Sequence, residues 1–276
     1  MTYETAFVLG GGGVLGACEV GMLKALLERG VRPDVVLGTS IGALNGAFIA
    51  ADPTPETAVR LEQLWRDLTA GDAFGGSLLR RAGTFARTGT HLQPFGPLRE
   101  MLREQLPVRR IEDLALPFQC VAASIERAAE HWFDEGPLAD AVLASCAVPG
   151  LMPPVRIGDE HFLDGGLVHS IPVGRAVALG AKTIYVLQVG RVEQALVAPR
   201  RPWEVALVAF EIARRHRYAA DMAAIPEHVT VHVLPVGVEP PRYDSRAALK
   251  YRSTTLVGAR VDGAYAASLA YLDELG

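Results

Sequence analysis

The chain has 276 residues, 50% of them hydrophobic and 21% charged. Those proportions sit near globular averages and exclude a disordered tail, a collagen-like repeat and a highly charged nucleic-acid binder. Lys and Arg number 27 against 31 Asp and Glu, a net charge of −4, so no global field draws in DNA or anionic lipid and only a local patch can do so. The three cysteines, Cys18, Cys120 and Cys146, are scattered through apolar stretches and read as reduced core thiols. No Cys-x-x-Cys or Cys/His cluster predicts a structural zinc site. The opening Met1-Thr2-Tyr3-Glu4 lacks a basic region and runs straight into a β-like segment, so no signal peptide is expected and the reading is cytoplasmic.

In chain order, the first part alternates β and α. Ala6–Leu9 is a short apolar run of the kind a buried parallel strand shows, broken by Gly10–Gly13. Val20, Leu23, Leu26 and Leu27 recur at helical spacing, with Gly30 where a C-terminal cap belongs. Val35–Leu37 reads as a second strand and Ile41–Ala51 as a small-residue helix stopped by Asp52-Pro53. The window Val35–Ala51 is the most membrane-like, but Thr39, Ser40 and Asn45 interrupt it and a spanning helix needs ~20 mostly apolar residues, so it predicts a buried strand, turn and helix. Glu56–Leu68 is amphipathic, with Leu61, Leu64, Trp65 and Leu68 on one face. Residues 70–95, rich in Gly, Thr and Arg and without a period, read as a lid or substrate-facing insertion, or as a loose connector. Phe118–Ala123 and His131–Phe133 read as strands, Pro137–Ala147 as a helix, and Val155–Ile157 with His161–Leu163 as a hairpin. Thr183–Val189 and Val229–Leu234 read as further strands, and Trp203–Ala224 and Ser253–Leu275 as helices. Strands separated by helices imply a parallel sheet covered on both faces, hence one α/β domain over residues 1–276.

Gly11-Gly12-Gly13-Val14-Leu15-Gly16 fits G-x-G-x-x-G after a strand and at the start of a helix, the setting of a dinucleotide fingerprint. That fingerprint also wants an acidic residue about 20 positions on, at the far end of the second strand. Asp34 has about the right spacing but precedes that strand, whose far end carries Gly38, Thr39 and Ser40. Consecutive glycines before a helix N-terminus also let backbone N–H groups converge on one point, which suits a phosphate or an oxyanion equally. The loop by itself leaves both readings open, beside a plain tight turn.

Gly38-Thr39-Ser40-Ile41-Gly42 fits G-x-S-x-G between strand and helix, the nucleophile-elbow arrangement. Such a turn lifts the serine Oγ out of the sheet and aims the Ile41 N–H where a tetrahedral oxygen would form. Only one strand and one helix precede it, which counts against the α/β-hydrolase fold. A serine hydroxyl is a weak nucleophile until a base takes its proton. The seven histidines, His91, His131, His161, His169, His216, His228 and His232, carry no motif, and His232 alternates with Val231 and Val233 as an ordinary strand residue. Asp164-Gly165-Gly166, after the strand His161–Leu163, is the better candidate, with an ordinary Asp-Gly turn as the plain alternative. A free Asp, with a pKa of ~3.9, is a poor base at neutral pH. Burial in an apolar pocket, part of which Ala147–Pro154 would supply, raises that value.

Three motifs therefore stand in order, with Lys24–Glu28 after the first, Gly42-Ala43-Leu44-Asn45 after the second and Ala144-Ser145-Cys146-Ala147-Val148-Pro149-Gly150 before the third. In this combination the chain resembles the patatin-like phospholipase family, densely over Phe7–Ala51 and Ala139–Pro172, thinly over residues 70–110 and after 190. The resemblance implies a three-layer αβα fold with a mainly parallel central sheet, and a Ser–Asp dyad without histidine. It also implies hydrolysis of fatty-acyl esters, commonly of phospholipids, with no metal or cofactor. Carried onto matching positions, Ser40 is the nucleophile and Asp164 the proton acceptor. The amides of Gly11, Gly12 and Gly13, with Ile41, line the oxyanion, and Gly16, Gly38, Gly42, Gly165 and Gly166 are the motif glycines. On this reading the loop binds no dinucleotide. Many members carry Arg or Lys just before the last loop glycine, where this chain has Leu15, which removes a cation and leaves the backbone donors. The same dyad would serve a transacylase, and a dehydrogenase or binding module built on the glycine loop is the rival of a different class. The expected partner is a fatty-acyl ester or phospholipid, without nucleic acid. Arg200-Arg201 with Trp203, and Arg214-Arg215-His216-Arg217 after Phe210, give one helix basic ends that offer peripheral membrane contact, against the alternative of a helix packed on the domain.

Overall fold

The computed structural model describes residues 2–70, 83–84, 86–189, 192, 195–238 and 254–275. Strand β1 (Thr5–Leu9) leads through a 3-10 turn (Gly13–Leu15) into α1 (Gly16–Glu28), and β2 (Val35–Thr39) leads into α2 (Ile41–Ala51) and α3 (Pro55–Ala70). After α4 (Gly96–Gln105) come β3 (Phe118–Ser124), β4 (Ala129–Phe133), α5 (Leu138–Ser145), β5 (Val155–Ile157) and β6 (Glu160–Asp164). The described chain continues with α6 (Val173–Ala178), β7 (Thr183–Leu187), α7 (Pro202–Ala223), β8 (Thr230–Val233) and α8 (Thr254–Leu275).

The strands form one sheet in the order β5-β6-β3-β2-β1-β7-β8, with β4 paired to β3. The run β3-β2-β1-β7-β8 is parallel throughout, whereas β4 and β6 run antiparallel to β3. Alternation along β1 sorts the two faces. Phe7 and Leu9 share a core with Leu23, Leu44, Leu61, Trp65 and Val261, from α1, α2, α3 and α8. Ala6 and Val8 share the other with Val173, Ala176 and Tyr218, from α6 and α7. The result is the αβα sandwich, each face closed by apolar burial worth about 1.5–3 kcal/mol per large side chain. All three cysteines are buried and free. Among the described residues no helix is long and apolar enough to cross a membrane.

Among the elements given above, α4 and α6 have no counterpart in the sequence reading. In α4 only Leu98 and Leu102 are buried, too few to mark a period in a polar segment, and α6 is 6 residues long, under two turns. Much of the lid-like stretch 70–95 falls on residues 71–82 and 85, outside the described residues. Its far end is clamped, the Leu92 and Gln93 N–H groups both donating to the Leu151 carbonyl.

One edge of β3 carries two strands in succession. β2 pairs along Phe118–Val121, ending with Thr39 opposite Val121. β6, running the other way, takes over with Asp164 opposite Ala122. β4 spans Cys120–Ser124, overlapping both pairings, so it holds the opposite edge. β2 and β6 thus end head to head, and the residue after Thr39 meets the last residue of β6.

Candidate active site

Ser40 is the residue after Thr39. Its φ of 55° and ψ of −122° put a non-glycine residue in the left-handed half of conformational space, a strained corner between β2 and α2. Two neighbours hold the corner. A Cβ on Gly42 would lie 2.3 Å from the Leu9 carbonyl oxygen, so only glycine lets α2 begin this close to β1. The Ser40 N–H donates to Ser145 Oγ at 2.8 Å, from the last residue of α5.

The hydroxyl then faces the carboxylate. Ser40 Oγ donates to Asp164 Oδ2 at 2.6 Å, and the Gly166 N–H donates to Asp164 Oδ1 at 2.7 Å. The Asp164 N–H donates to the Ala147 carbonyl at 2.9 Å. The segment Ser145–Ala147 therefore grips both partners and sets their separation. A Cβ on Gly165 would lie 2.1 Å from the Val121 carbonyl oxygen, so glycine lets the chain turn off β6 flush against β3. No histidine bonds either side chain among the described residues. Asp164 is 1% exposed. Burial pushes its pKa up from 3.8 to about 6, against the downward pull of the Ser40 and Gly166 hydrogen bonds. The buried Cys146 thiol is held well above its ordinary value by burial first and by the nearby Asp164 charge second.

The glycine loop departs from expectation at one position. The Gly11 N–H donates to the Ser170 carbonyl at 2.8 Å, so it is not a free donor for an oxyanion. What Gly11 supplies is closeness, since a Cβ there would lie 3.4 Å from Ser40 Cβ. The N–H groups of Gly12, Gly13 and Ile41 have no acceptor among the described residues. The dinucleotide alternative fares worse. Asp34 Oδ2 accepts from the Glu4 and Thr5 N–H groups at the opposite end of β1, a full strand away from the loop.

The expected basic ends are not what α7 shows: its last turn carries no basic residue, Arg214–Arg217 lie in its middle, and those arginines are engaged. Arg214 is buried, with Nη1 donating to the Gly11 carbonyl at 3.4 Å. Arg215 pairs with Glu211 at 3.2 Å, and Arg217 reaches Asp221 at 3.2 Å and His169 Nε2 at 2.7 Å. The Trp203 side chain lies outside the described residues. Ser145, Ser170 and Arg214 are site residues that motif reading passes over. Ser145 at least sits in the segment preceding the Asp-Gly-Gly motif and Arg214 in the basic run read for membrane contact, whereas Ser170 carries no local signal.

A family model described as Patatin-like phospholipase matches residues 7–177, a span that takes in the glycine loop, the serine elbow and Asp164. The chain is 34% identical over 188 residues to patatin-like phospholipase domain-containing protein 7 of Mus musculus, covering 67% of this chain and 13% of that protein. It is 34% identical over 201 residues to lysophospholipase nte1 of Aspergillus terreus, covering 69% of this chain and 12% of that protein. The chain thus spans about an eighth of the length of the curated relatives it matches. Among solved structures, VipD from Legionella pneumophila aligns with a TM-score of 0.46 and 12% identity, over 99% of this chain and 67% of that one.

Proposed function

Because this chain belongs to the patatin-like phospholipase family, we propose that it is a serine lipid acyl hydrolase cleaving fatty-acyl esters through an acyl-serine intermediate. The observation that carries the reading is the 2.6 Å hydrogen bond from Ser40 Oγ, on its strained corner, to the buried Asp164 carboxylate. In acylation Ser40 Oγ attacks the ester carbonyl carbon while Asp164 Oδ2 takes its proton. The carbonyl electron pair moves onto oxygen, where the N–H groups of Gly12, Gly13 and Ile41 receive it, a donor of this kind being worth ~3–4 kcal/mol of barrier. Collapse of the tetrahedral adduct expels the alkoxide, which takes the proton from Asp164. Water then attacks the acyl-serine by the same route in reverse, its proton going to Asp164 and on to Ser40. A carboxylate whose pKa is about 6 suits both directions near neutral pH.

A lysophospholipid is the first substrate to offer, since one relative carries the name lysophospholipase. The reading takes residues 1–276 as one domain, because β7 and β8, beyond the matched segment, extend the sheet from β1. Peripheral membrane contact falls to the outer face of α7, where Val205 and Ile212 are exposed. The test is turnover of a p-nitrophenyl fatty ester by Ser40→Ala and Asp164→Ala, with labelling of Ser40 by a fluorophosphonate. Both substitutions are expected to abolish turnover, and Ser40→Ala with retained activity overturns the reading.

A further inference from the structure

We propose that Arg214 is a positioning residue for the oxyanion-binding amides, holding the Gly11 carbonyl and thereby aiming the Gly12 N–H. The inference rests on the acyl-hydrolase reading and adds to it a side chain from α7, outside every motif.

Arg214 is an expensive residue in a place where an apolar one would pack. Its side chain is 4% exposed, its nearest carboxylate oxygen is Glu211 Oε1 at 3.6 Å, and its Nε has no hydrogen-bond partner among the described residues. A guanidinium buried with contacts this long and this few is weakly compensated for its lost hydration, so it is a poor stabilising element. What it does reach is the Gly11 carbonyl, at 3.4 Å from Nη1.

That contact controls the next amide. In a trans peptide the carbonyl of one residue and the N–H of the next point in opposite directions, and no peptide bond among the described residues is cis. With the Gly11 carbonyl turned to Arg214, the Gly12 N–H points away from the guanidinium, and it has no acceptor among the described residues. Gly10 to Gly13 carry no side chains that could select one peptide orientation. The clamp has to come from outside the loop, and Gly11 is held at both ends, its N–H by the Ser170 carbonyl and its carbonyl by Arg214. A flipped Gly11–Gly12 peptide would present a carbonyl to the developing anion. The cation also polarises the peptide in the direction that strengthens the N–H as a donor. A second arginine supplies the contrast. Arg260 Nη1 donates to the Val14 carbonyl at 3.2 Å, but the N–H of that peptide, on Leu15, already donates to the Gly12 carbonyl. Arg260 therefore holds the loop without aiming a free amide.

The experiment compares Arg214→Met, Arg214→Lys and Arg260→Met on a p-nitrophenyl fatty ester, with Ser40→Ala alongside. Arg214→Met is expected to lower kcat ~30-fold with KM within about threefold, below the ~10²–10³ of deleting an oxyanion donor outright. Affinity for a trifluoromethyl ketone, whose serine adduct bears the oxyanion, falls by the same factor. The urea midpoint does not fall, and the pH midpoint set by Asp164 stays in place. Arg214→Lys restores part of the loss, and Arg260→Met loses far less kcat. Parental kcat in Arg214→Met overturns the proposal. So does a loss that tracks a lower urea midpoint while ketone affinity per folded molecule is kept. Should Arg214→Met fail to fold, Arg214→Lys decides: parental ketone affinity there overturns the proposal, and weakened affinity supports it. Activity surviving in Ser40→Ala is the separate outcome that sinks the acyl-hydrolase reading itself.

Discussion

Asp164 and Glu19 are both buried carboxyls, 1% and 0% exposed, yet they have opposite fates. Both oxygens of Asp164 receive a donor, from Ser40 and Gly166, and its pKa rises only to about 6. Glu19, on α1, accepts from Asn45 Nδ2 at 2.7 Å through Oε2, while Oε1 has no partner among the described residues. Burial raises its pKa well above the ordinary carboxylate range, and Asn45 and the Gly10 backbone counter that only in part. Burial alone does not make a base. The donors around the carboxyl decide whether the anion is reachable near neutral pH. On the proposed mechanism the first pocket holds the proton acceptor, and burial in the second favours the protonated form of a carboxyl that acts as a strut. Asn45 makes the strut a structural hub, donating to the Gly16 carbonyl and accepting from Trp65 Nε1, both at 3.0 Å, so that α1, α2 and α3 meet on one amide.

The largest effects break the dyad side of the comparison. Ser40→Ala and Asp164→Asn are each expected to lower kcat by ~10³ or more, since in the proposed mechanism nucleophile and base act as a unit. Asp164→Asn keeps the shape of the site and removes a buried charge, so its urea midpoint at about pH 8 is expected to exceed that of the parent. The sign follows from the raised pKa. The folded state holds the Asp164 proton more tightly than the unfolded chain, so the stability from that proton is full below the ordinary aspartate value. It is lost as pH rises through about 6. Activity runs the other way across the same window, because only the ionised carboxylate takes the Ser40 proton. A profile of kcat/KM against pH should climb about tenfold per unit and level off above about 6. A midpoint near that of free aspartate would break the link between burial and basicity.

The site was unevenly legible in the sequence, and the unevenness has a physical cause. The glycine loop and the serine elbow are local events, in which glycines at fixed offsets let backbone approach backbone, and Gly42 against Leu9 is such an approach. Asp164 is legible as a candidate base beside the plain alternative of an Asp-Gly turn, and the family resemblance favours joining it to a serine 124 positions earlier. What joins them in space is the head-to-head ending of β2 and β6 on β3, a tertiary register that no window of sequence contains. Ser145, 105 positions from the N–H it accepts, and Arg214, 203 positions from its carbonyl, are polar residues whose partners the fold supplies. For the same reason the Gly11 amide, free in any motif reading, is taken by Ser170. The alternating strands and long helices were legible because burial imposes a period on them, and the polar α4 and the short α6 were not.

The strut side of the comparison is tested through stability. Asn45→Ala removes the donor to Glu19 and to the Gly16 carbonyl and the amide oxygen that accepts from Trp65 Nε1, all in the core. The expected loss is about 2–4 kcal/mol in urea unfolding, the range for breaking a buried hydrogen-bond network. Asn45→Asp sharpens the test, because a second carboxyl facing Glu19 would add a pH-dependent repulsion that alanine lacks. A variant no less stable than the parent would show that the three helices do not depend on this amide.

Glu19→Gln is the smallest and most discriminating change. Glutamine matches a protonated glutamate in shape and can still accept from Asn45, so below the ordinary carboxylate range the two proteins should differ by no more than about 1 kcal/mol. The difference then acquires a sign. The raised pKa of Glu19 means the folded parent keeps a proton that the unfolded chain releases, so the parent loses stability as pH rises past the ordinary glutamate value. Glutamine has no proton to lose, and the variant should gain on the parent as pH rises above the ordinary glutamate value. An ionised and well-paired Glu19 gives the opposite trend, a variant that falls behind as the parent's anion forms. Urea midpoints of the two proteins across that range separate the cases. Unaltered kcat in Glu19→Gln would confine the effect to the strut and leave Asp164 as the carboxylate that does chemistry.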